Sequence, residues 1–398
     1  MSLDEMRQYD LVAHYSIPNF DLFGGAADED PQNIESSKLR VGAGDLLVSR
    51  LNPRKQRVLF VERHETLAVC SGEFVVLRPT EAVDPRFLYW RLLAEDTRQH
   101  LDARVRSVTR SQQRVEPDEI RKYWMYAPAL ADQRLIVRRL DEATTRIDAL
   151  IREQQGLIVS LLERRASELD RWVEHGGGTD LVDVSSRWIN AIPRDWSLMP
   201  LKRCVSRVMV GIVINPSAYY EEDGVPVLRG LNIRPGRVTN DDLVYMSAAS
   251  NELHRKSILC AGDVVVVRTG AAGSAAVVPE WAVGGNAVDL LIVRPGERLL
   301  PAFLEHLLNS RLVQQQVLYG SVGALQSHFN TSALANVMVV VPPPTEQERV
   351  LEHLTPALSR YDELIAGAGR QIELLREHRQ ALITAGVTGG LDALGRVA

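Results

Sequence analysis

The sequence predicts an α+β fold, with two α/β domains separated by a long antiparallel two-helix coiled coil and arranged as a pseudo-two-fold tandem repeat. Three observations support this prediction. A heptad pattern runs without a proline from Asp132 to about His175, a second such pattern follows Thr345, and the strand-like segments that precede the two patterns share short motifs. Recurrence of both parts in the same order indicates a duplicated unit.

The first long helix is predicted from apolar residues that recur with alternating steps of four and three. Such a seam, with charges on the other faces, is typical of a helix that packs lengthwise on another helix. Gly176 to Gly178 end the pattern, because glycine turns the chain without a side-chain clash. A helix of roughly 40 residues is about 60 Å long. The seam contains Ile136, Leu140, Ala143, Ile147, Leu150, Gln154, Leu157 and Leu161.

The partner helix is predicted in the same chain, after Thr345. An offset of 214 residues, taken from Pro128 and Pro342, superimposes the two helical patterns. Two amphipathic helices can resemble each other through composition alone, but matching prolines and polar positions favour a true repeat. Pro356 is expected to kink the second helix or delay its regular part. The aligned polar residues are Gln133 with Gln347, Asp148 with Asp362, Glu163 with Glu377, and Arg165 with Arg379.

The chain divides into four predicted segments: a first α/β domain at 1–127, a helix at 128–175, a second α/β domain at 176–341 and a helix at 342–398. A Gly-Asp step occurs in both α/β domains, ending at Asp45 and at Asp263. About 40 residues precede the first step, whereas about 85 separate Gly178 from the second. The sequence IPRDWSLMPLKR has no clear counterpart in the first domain, which is therefore expected to be of a shorter type or to lack an edge element.

Composition bounds the protein class. The 398 residues are 45% hydrophobic and 24% charged, which fits two to four globular units. Three widely spaced cysteines form no CxxC pair or zinc pattern, and the polar start MSLDEMRQYD does not resemble a signal peptide. A cytoplasmic protein without a membrane segment is expected. The net charge of −5 argues against non-specific nucleic-acid binding over the whole surface, but it allows local basic faces.

Catalytic motifs are missing from the sequence. It contains no GxxxxGK phosphate loop, no GxGxxG after a strand, no HExxH and no zinc-spaced Cys/His set. The nine histidines are scattered, and the acidic pairs lie in loop-like segments. We therefore expect no catalysis by this chain and no metal or cofactor bound to it.

Local basic clusters and polar loops are the candidates for a binding function. Arginine and lysine can contact phosphates, and glutamine, asparagine and arginine can contact base edges. A solvated face with arginines packed over aromatic rings is the alternative for the basic clusters. The candidates in the first domain are Arg50, Asn52, Arg54, Lys55, Arg57, Arg110, Gln112, Gln113 and Arg114. Those in the second domain are Arg229, Asn232, Arg234, Arg268, Thr269, Ser274, Gln326, His328 and Asn330.

Several short sequence motifs in this chain resemble those of a known protein family. In the helical regions, the motifs lie within Pro128 to Arg165 and in the sequence QIELLREHRQALITAGVTG. The first half contains YSIPNFD, GDLLVSRLNP and SQQRVEP, and the second contains VPVLRGLNI, GDVVVVRTGAAG and LNSRLVQQQV. With the tandem arrangement, these resemble the DNA-specificity subunit of type I restriction-modification systems.

The resemblance implies a function. Two target-recognition domains at opposite ends of the coiled coil would each read one half of a bipartite site on double-stranded DNA, and the helices would fix the gap between the halves. Two methyltransferase (modification) subunits would carry S-adenosylmethionine, and two restriction subunits with ATP and magnesium can join them. The chain itself would be non-catalytic. A different reading of the residues is a coiled-coil adaptor with two protein-binding domains and no role with DNA.

Overall fold

The computed structural model describes residues 1–106, 113–321 and 329–397, with side chains described except at 320–321 and 390–397. The chain forms two compact units. Unit 1 comprises Met1–Gly156 and Ala368–Ala398, and unit 2 comprises Leu157–Gly367. Each long helix contributes to both units, whereas the division predicted from sequence treats the helices as separate segments.

Unit 1 begins with strands and short helices and continues into a long helix. Its strands are β1 Val12–Tyr15, β2 Ala27–Glu29, β3 Leu39–Arg40, β4 Leu46–Ser49, β5 Val58–Phe60, β6 Leu67–Cys70 and β7 Phe74–Leu77. Its helices are α1 Leu3–Met6, α2 Ile17–Phe23, α3 Pro85–Leu92, α4 Glu95–Asp102, α5 Pro117–Arg121 and the first part of α6 Leu130–His175.

Unit 2 contains more strands. They are β8 Leu181–Asp183, β9 Ala191–Pro193, β10 Ser197–Pro200, β11 Val205–Val210, β12 Val225–Leu228, β13 Ile233–Arg234, β14 Arg237–Val238, β15 Val244–Met246, β16 Val264–Val267, β17 Ala275–Val277, β18 Asn286–Ala287, β19 Leu290–Pro295 and β20 Met338–Val341. The helices are α7 Ala248–Leu253, α8 Pro301–Asn309, α9 Arg311–Ser321, α10 Thr331–Asn336 and α11 Pro344–Val397, whose last part belongs to unit 1.

The same two sheet patterns occur in both units. An antiparallel sheet has the order β5-β4-β7 in unit 1 and β17-β16-β19 in unit 2, where β11 adds a fourth strand. A mixed sheet contains β2-β1-β6 in unit 1 and β15-β12-β18 in unit 2, with one antiparallel and one parallel pairing each. The strands of each antiparallel sheet have buried aliphatic side chains against α3 or α8. The predicted duplication of α/β domains is therefore confirmed.

The Gly-Asp step has the same structural role in each unit. Gly44 and Gly262 have φ angles of 89° and 81°, a backbone conformation that glycine adopts without a steric penalty. The next residue, Asp45 or Asp263, is buried and forms a two-point ion pair with an arginine at the end of the neighbouring strand. Hydrogen bonding from Arg78 is the main cause that lowers the pKa of Asp45. The dipeptide that is repeated in the two halves is thus a turn with a buried carboxylate.

A buried glutamine fixes the start of each long helix. Gln133 and Gln347 are 1% and 0% exposed. The Gln133 side chain accepts a hydrogen bond from the N–H of Asp84 and donates to the carbonyl of Pro128, at 2.8 and 2.7 Å. Gln347 makes the equivalent bonds to Leu300 and Pro342, both at 2.9 Å. Because each amide joins the helix to the domain that precedes it, the matched glutamines hold the repeat together.

The aligned acidic and basic helix residues pair across the two helices. Asp148 binds Arg379 at 2.9 Å within unit 1. Arg165 binds Asp362 at 2.8 Å within unit 2. In unit 2 the ring of Trp172, further along α6, lies 4.4 Å from that of His353, which is earlier in α11, so the helices run antiparallel there.

The structure bears on two details of the predicted helices. The helix α11 is continuous from Pro344 to Val397 with Pro356 inside it, so Pro356 does not delay its start. Pro356 is exposed, as is Glu352, whose carbonyl loses its helical donor but can bind water. Leu150 and Leu157 of the predicted seam are each 45% exposed, whereas Ile136 and Leu140 near the start of α6 are fully buried.

Candidate nucleic-acid interface

In unit 1 the two predicted binding segments lie together. The turn at Pro53–Lys55 follows Asn52, which has a left-handed conformation with a φ of 51°. The N–H of Asn52 donates to the carbonyl of Gln113 at 2.7 Å, and the Asn52 side-chain oxygen accepts from the N–H of Gln113 at 3.3 Å. Leu51 also forms a bridge with Arg114. The end of the polar loop is therefore fixed beside the basic turn.

In unit 2 a corresponding junction forms. The N–H of Phe329 donates to the carbonyl of Arg268 at 3.4 Å, and the guanidinium of Arg268 donates to the carbonyl of Phe329 at 3.3 Å. Arg268 and Thr269 also bind the carboxylate of Asp289, at 2.8 and 3.3 Å. Ser274 closes the same turn by donating its N–H to Ala271. In both units, the loop after the central antiparallel strand therefore meets the end of the predicted polar loop.

Four candidates cannot be located in this geometry. Arg110 and Gln112 of the first domain, with Gln326 and His328 of the second, lie outside the described residues. Their flanking residues, Gln113 and Phe329, are those that meet the basic turns. The two loops remain the predicted base-reading elements.

Five of the seven remaining first-domain candidates face solvent at least in part. Arg54 and Lys55 are exposed on the turn. Arg114 is half-exposed and binds Glu73 with both nitrogens of its fork, the shorter distance being 3.1 Å. Arg50 is half-buried, and among the described residues its buried Nε has no hydrogen-bond partner. Arg54, Lys55 and Arg114 can therefore offer positive charge to a phosphate.

Arg57 lies in a different environment. Its side chain is buried, and it binds both carboxylate oxygens of Asp21, at 2.7 and 2.6 Å. The guanidinium holds the pKa of Asp21 below its ordinary value. This arrangement favours a structural role for Arg57 over the predicted contact with DNA.

Replacing Arg57 with Ala is expected to destabilise unit 1 by about 1–3 kcal/mol, because it leaves the carboxylate of Asp21, whose side chain is 49% exposed, without its donor. Lys55→Ala, two residues away and exposed, is the matched control and should change stability by less than about 0.5 kcal/mol. Urea unfolding, followed by hydrogen exchange of β4 and β5, measures both. If Arg57→Ala were as stable as Lys55→Ala and only weakened DNA binding, the structural role would be wrong.

Most second-domain candidates make bonds within unit 2. Asn232 is fully buried and binds the N–H of Arg229 and the carbonyl of Asp241. Arg229 binds the carbonyl of Asp242, and Arg234 binds two nearby carbonyls. The side chain of Asn330 caps α10 through the N–H of Ala333. Arg234 and Asn330 are exposed and keep polar atoms for a ligand, whereas Asn232 fixes a turn.

Carboxylates that hold the candidate arginines were missed by sequence reasoning. Asp21, Glu73 and Asp289 bind Arg57, Arg114 and Arg268 across 36, 41 and 21 residues of sequence. Pairs this distant leave no local signal. The described residues contain no cluster of side chains suited to a metal ion, and none of the helices in those ranges has the length and apolar character to cross a membrane.

Known proteins resemble this chain in sequence and in fold. No protein-family model matches the chain. The Type I restriction enzyme EcoKI specificity subunit of Escherichia coli strain K12 is 23% identical over 209 residues, 50% of this chain and 44% of that protein. The EcoBI specificity subunit of Escherichia coli is 22% identical over 283 residues, 68% of this chain and 58% of that protein. The chain is related to type I restriction specificity subunits.

The aligned regions span about half the length of these curated relatives. A solved chain, from work titled as the structural basis of complex assembly and conformational transition of the type I R-M system, has a TM-score of 0.71. It is 18% identical, and the match covers 98% of this chain and 94% of that one. At this identity the likeness shows a shared fold, which extends over both units and both long helices.

Proposed function

We propose that this chain is the non-catalytic DNA-specificity subunit of a type I restriction-modification complex, in which each α/β domain reads one half of a bipartite site. The observation that supports this most is the matched junction, with Asn52 and Gln113 in unit 1 and Arg268 and Phe329 in unit 2. A duplicated pair of loops suits a site with two half-sites. The alternative, an adaptor that binds only proteins, is not favoured, because the relatives are specificity subunits.

The partners follow from the same proposal. Two methyltransferase subunits would bind S-adenosylmethionine and transfer its methyl group to an adenine flipped from the duplex. Restriction subunits would add ATP-dependent cleavage. Arg54, Lys55 and Arg114 would contribute phosphate contacts in unit 1, and the polar segments predicted from sequence at Thr109–Arg114 and Gln326–Asn330 would contact base edges.

The proposal is tested by mapping adenine methylation in the host genome with and without this gene. A bipartite methylated motif should disappear when the gene is deleted and return when it is restored. Loss of no motif would refute the specificity role. A gel shift with the co-expressed methyltransferase, at stated salt, separates this from the adaptor, because phosphate contacts make affinity fall as salt rises.

Matched insertions in the two helices should change the gap within the DNA site. We expect seven residues inserted after Gln154 together with seven after Ile372 to preserve the heptad phase and both interhelical ion pairs. The added length of about 10 Å corresponds to about three base pairs at roughly 3.4 Å each. The methylated motif should keep both half-sites, and the gap between them should lengthen by that number of base pairs.

Insertion after Gln154 alone is the control. The pair Asp148–Arg379 and the pair Arg165–Asp362 have the same spacing along α6 as along α11. Lengthening one helix makes the two pairs incompatible, so methylation should be lost. A matched insertion that leaves the gap unchanged would contradict the spacer role.

A further inference from the structure

Unit 2 contains a two-strand segment that has no counterpart among the described residues of unit 1. In unit 2, β10 pairs antiparallel with β20, and the next strand, β11, pairs antiparallel with β19. Within residues 197–210, β10 thus covers the edge of β20, and β11 covers the edge of β19. Among the described residues, no strand pairs with the corresponding edges of unit 1.

Residues Trp124–Ala127 occupy the place of β20. The offset of 214 residues aligns them with Met338–Val341, and both segments end at a proline whose carbonyl is bound by the matched helix glutamine. Met125 packs on the core, whereas Trp124 and Tyr126 are 93% and 71% exposed. This alternation is typical of a strand. In the described structure the backbone groups of Trp124–Ala127 make no hydrogen bond to another strand.

The edge of β7 corresponds to the edge of β19 that β11 covers. Arg78 is the counterpart of Arg294, since each binds the buried aspartate of its Gly-Asp step. The Arg78 side chain is 72% exposed, whereas that of Arg294, beside β11, is 33% exposed. Leu77 is half-buried, whereas its counterpart Val293 is fully buried. The difference matches the missing strand.

A groove lined by arginines lies beside β7. It has a volume of about 480 Å³ and is lined by Gly72 and the strand residues Phe74 to Val76, and also by Met1, Leu39 and Pro117. The half-buried Arg50, with its unpartnered Nε, lines it. Its other arginines are Arg40, Arg78 and Arg121. An occupant that carries carboxylates would complement this charge.

We propose that unit 1 binds a strand-turn-strand segment of a partner protein, which adds one antiparallel strand to Trp124–Ala127 and a second to β7. Its apolar side chains cover Trp124 and Tyr126, and a carboxylate faces Arg78. Main-chain hydrogen bonds to an exposed edge supply affinity in such complexes, and the side-chain contacts supply specificity. The inference stands independently of DNA recognition, because it rests on the comparison of strand edges in the two units.

The covered edge of unit 2 indicates which backbone groups would bind. The N–H of Leu201 donates to the carbonyl of Val337 at 2.9 Å. Bonded positions alternate along an antiparallel pair, so the N–H of Val341 points to β10. The counterpart of Val341 is Ala127. Ala127→Pro removes this donor in an exposed residue, and Ala127→Val keeps it with a side chain that favours a strand.

The test uses the full chain and two labelled peptides with the sequence of residues 195–211 and Cys204→Ser, one of which also carries Arg207→Glu. In unit 2 Arg207 lies across from Arg294, so a glutamate there would face Arg78 in unit 1. Fluorescence anisotropy should show saturable binding, about three- to fivefold tighter for the glutamate peptide. Ala127→Pro should weaken binding about tenfold relative to Ala127→Val. Hydrogen exchange should slow at 74–79 and 123–128.

Three results would overturn the proposal. Saturable binding of neither peptide would remove the docking site. Equal binding by Ala127→Pro and Ala127→Val would mean that the peptide does not pair with Trp124–Ala127. Sedimentation that shows a dimer without peptide, lost in Ala127→Pro, would assign the open edges to a second copy of this chain.

Discussion

Replacing Asp263 with Ala is expected to destabilise unit 2 by about 3–5 kcal/mol, because it leaves one member of a buried ion pair without its partner. The Asp263 carboxylate is 1% exposed and binds Arg294 at 2.8 and 2.7 Å. It also accepts the N–H of Cys260 at 2.8 Å, which closes the turn before β16. Removal therefore leaves the N–H of Cys260 without its acceptor and leaves the Arg294 guanidinium with the carbonyl of Ile258 but without a carboxylate. Hydrogen exchange of β16 under urea measures the loss.

Asp45→Ala in unit 1 is the matched comparison. Asp45 makes the same contacts with Arg78 and with the N–H of Gly42. Since Arg78 is 72% exposed, its guanidinium can turn to water, so we expect a smaller loss of about 1–3 kcal/mol. Asp263→Ala combined with Arg294→Met should recover part of the stability, because no unpaired charge remains. Equal losses for the two aspartates would contradict this dependence on burial.

Local patterns explain how much of the fold is predictable from the sequence. The heptad seam and its glycine end predict α6 closely, since helix periodicity is a property of neighbouring residues. The repeated Gly-Asp step identifies equivalent strands in the two halves, because its glycine needs a left-handed conformation in both. Unequal lengths before these steps also predict a first domain that is of a shorter type or lacks an edge element, and among the described residues no strand pairs with Trp124–Ala127 or with the outer edge of β7.

Long-range contacts explain what the sequence could not predict. Arg57 and Lys55 are equivalent as members of a basic run, yet one is buried against Asp21 and the other is exposed. Only the packing of α2 beside the turn separates the two roles. Likewise Leu150 fits the seam by period but is 45% exposed, because a period defines a face of the helix and not what covers it.

Glu174 is expected to make the stability of unit 2 depend on pH. It is 8% exposed, near the end of α6, and accepts the N–H of Leu312 at 2.8 Å at the start of α9. Asp170, one turn earlier, accepts the N–H of Arg311 at 2.8 Å. Burial is the main cause that raises the pKa of Glu174 to about 7 from 4.5. The folded state therefore favours the protonated carboxyl.

The direction of this pH dependence follows from the pKa values of Glu174 in the unfolded and folded states. Below pH 4.5 the group is protonated in both folded and unfolded states and has no effect. As pH rises to about 7 the unfolded chain ionises first, so the folded state loses up to about 3 kcal/mol relative to it. His306, whose pKa burial lowers to about 4, acts in the opposite direction, because its neutral form is favoured as pH rises towards 6.5. The dependence of the wild-type stability on pH therefore contains two opposite contributions that partly cancel.

Glu174→Gln isolates the carboxyl. The amide matches the shape of the protonated acid and can still accept the N–H of Leu312, but it does not ionise. Relative to the wild type, this variant should gain about 3 kcal/mol between pH 4.5 and pH 8, measured by hydrogen exchange of α9 at several pH values. His306 titrates alike in both proteins, so its effect cancels in the difference. A difference that does not change with pH would mean that Glu174 has the same pKa in the folded and unfolded chains, with the helix start of α9 stabilising its charge as well as water does.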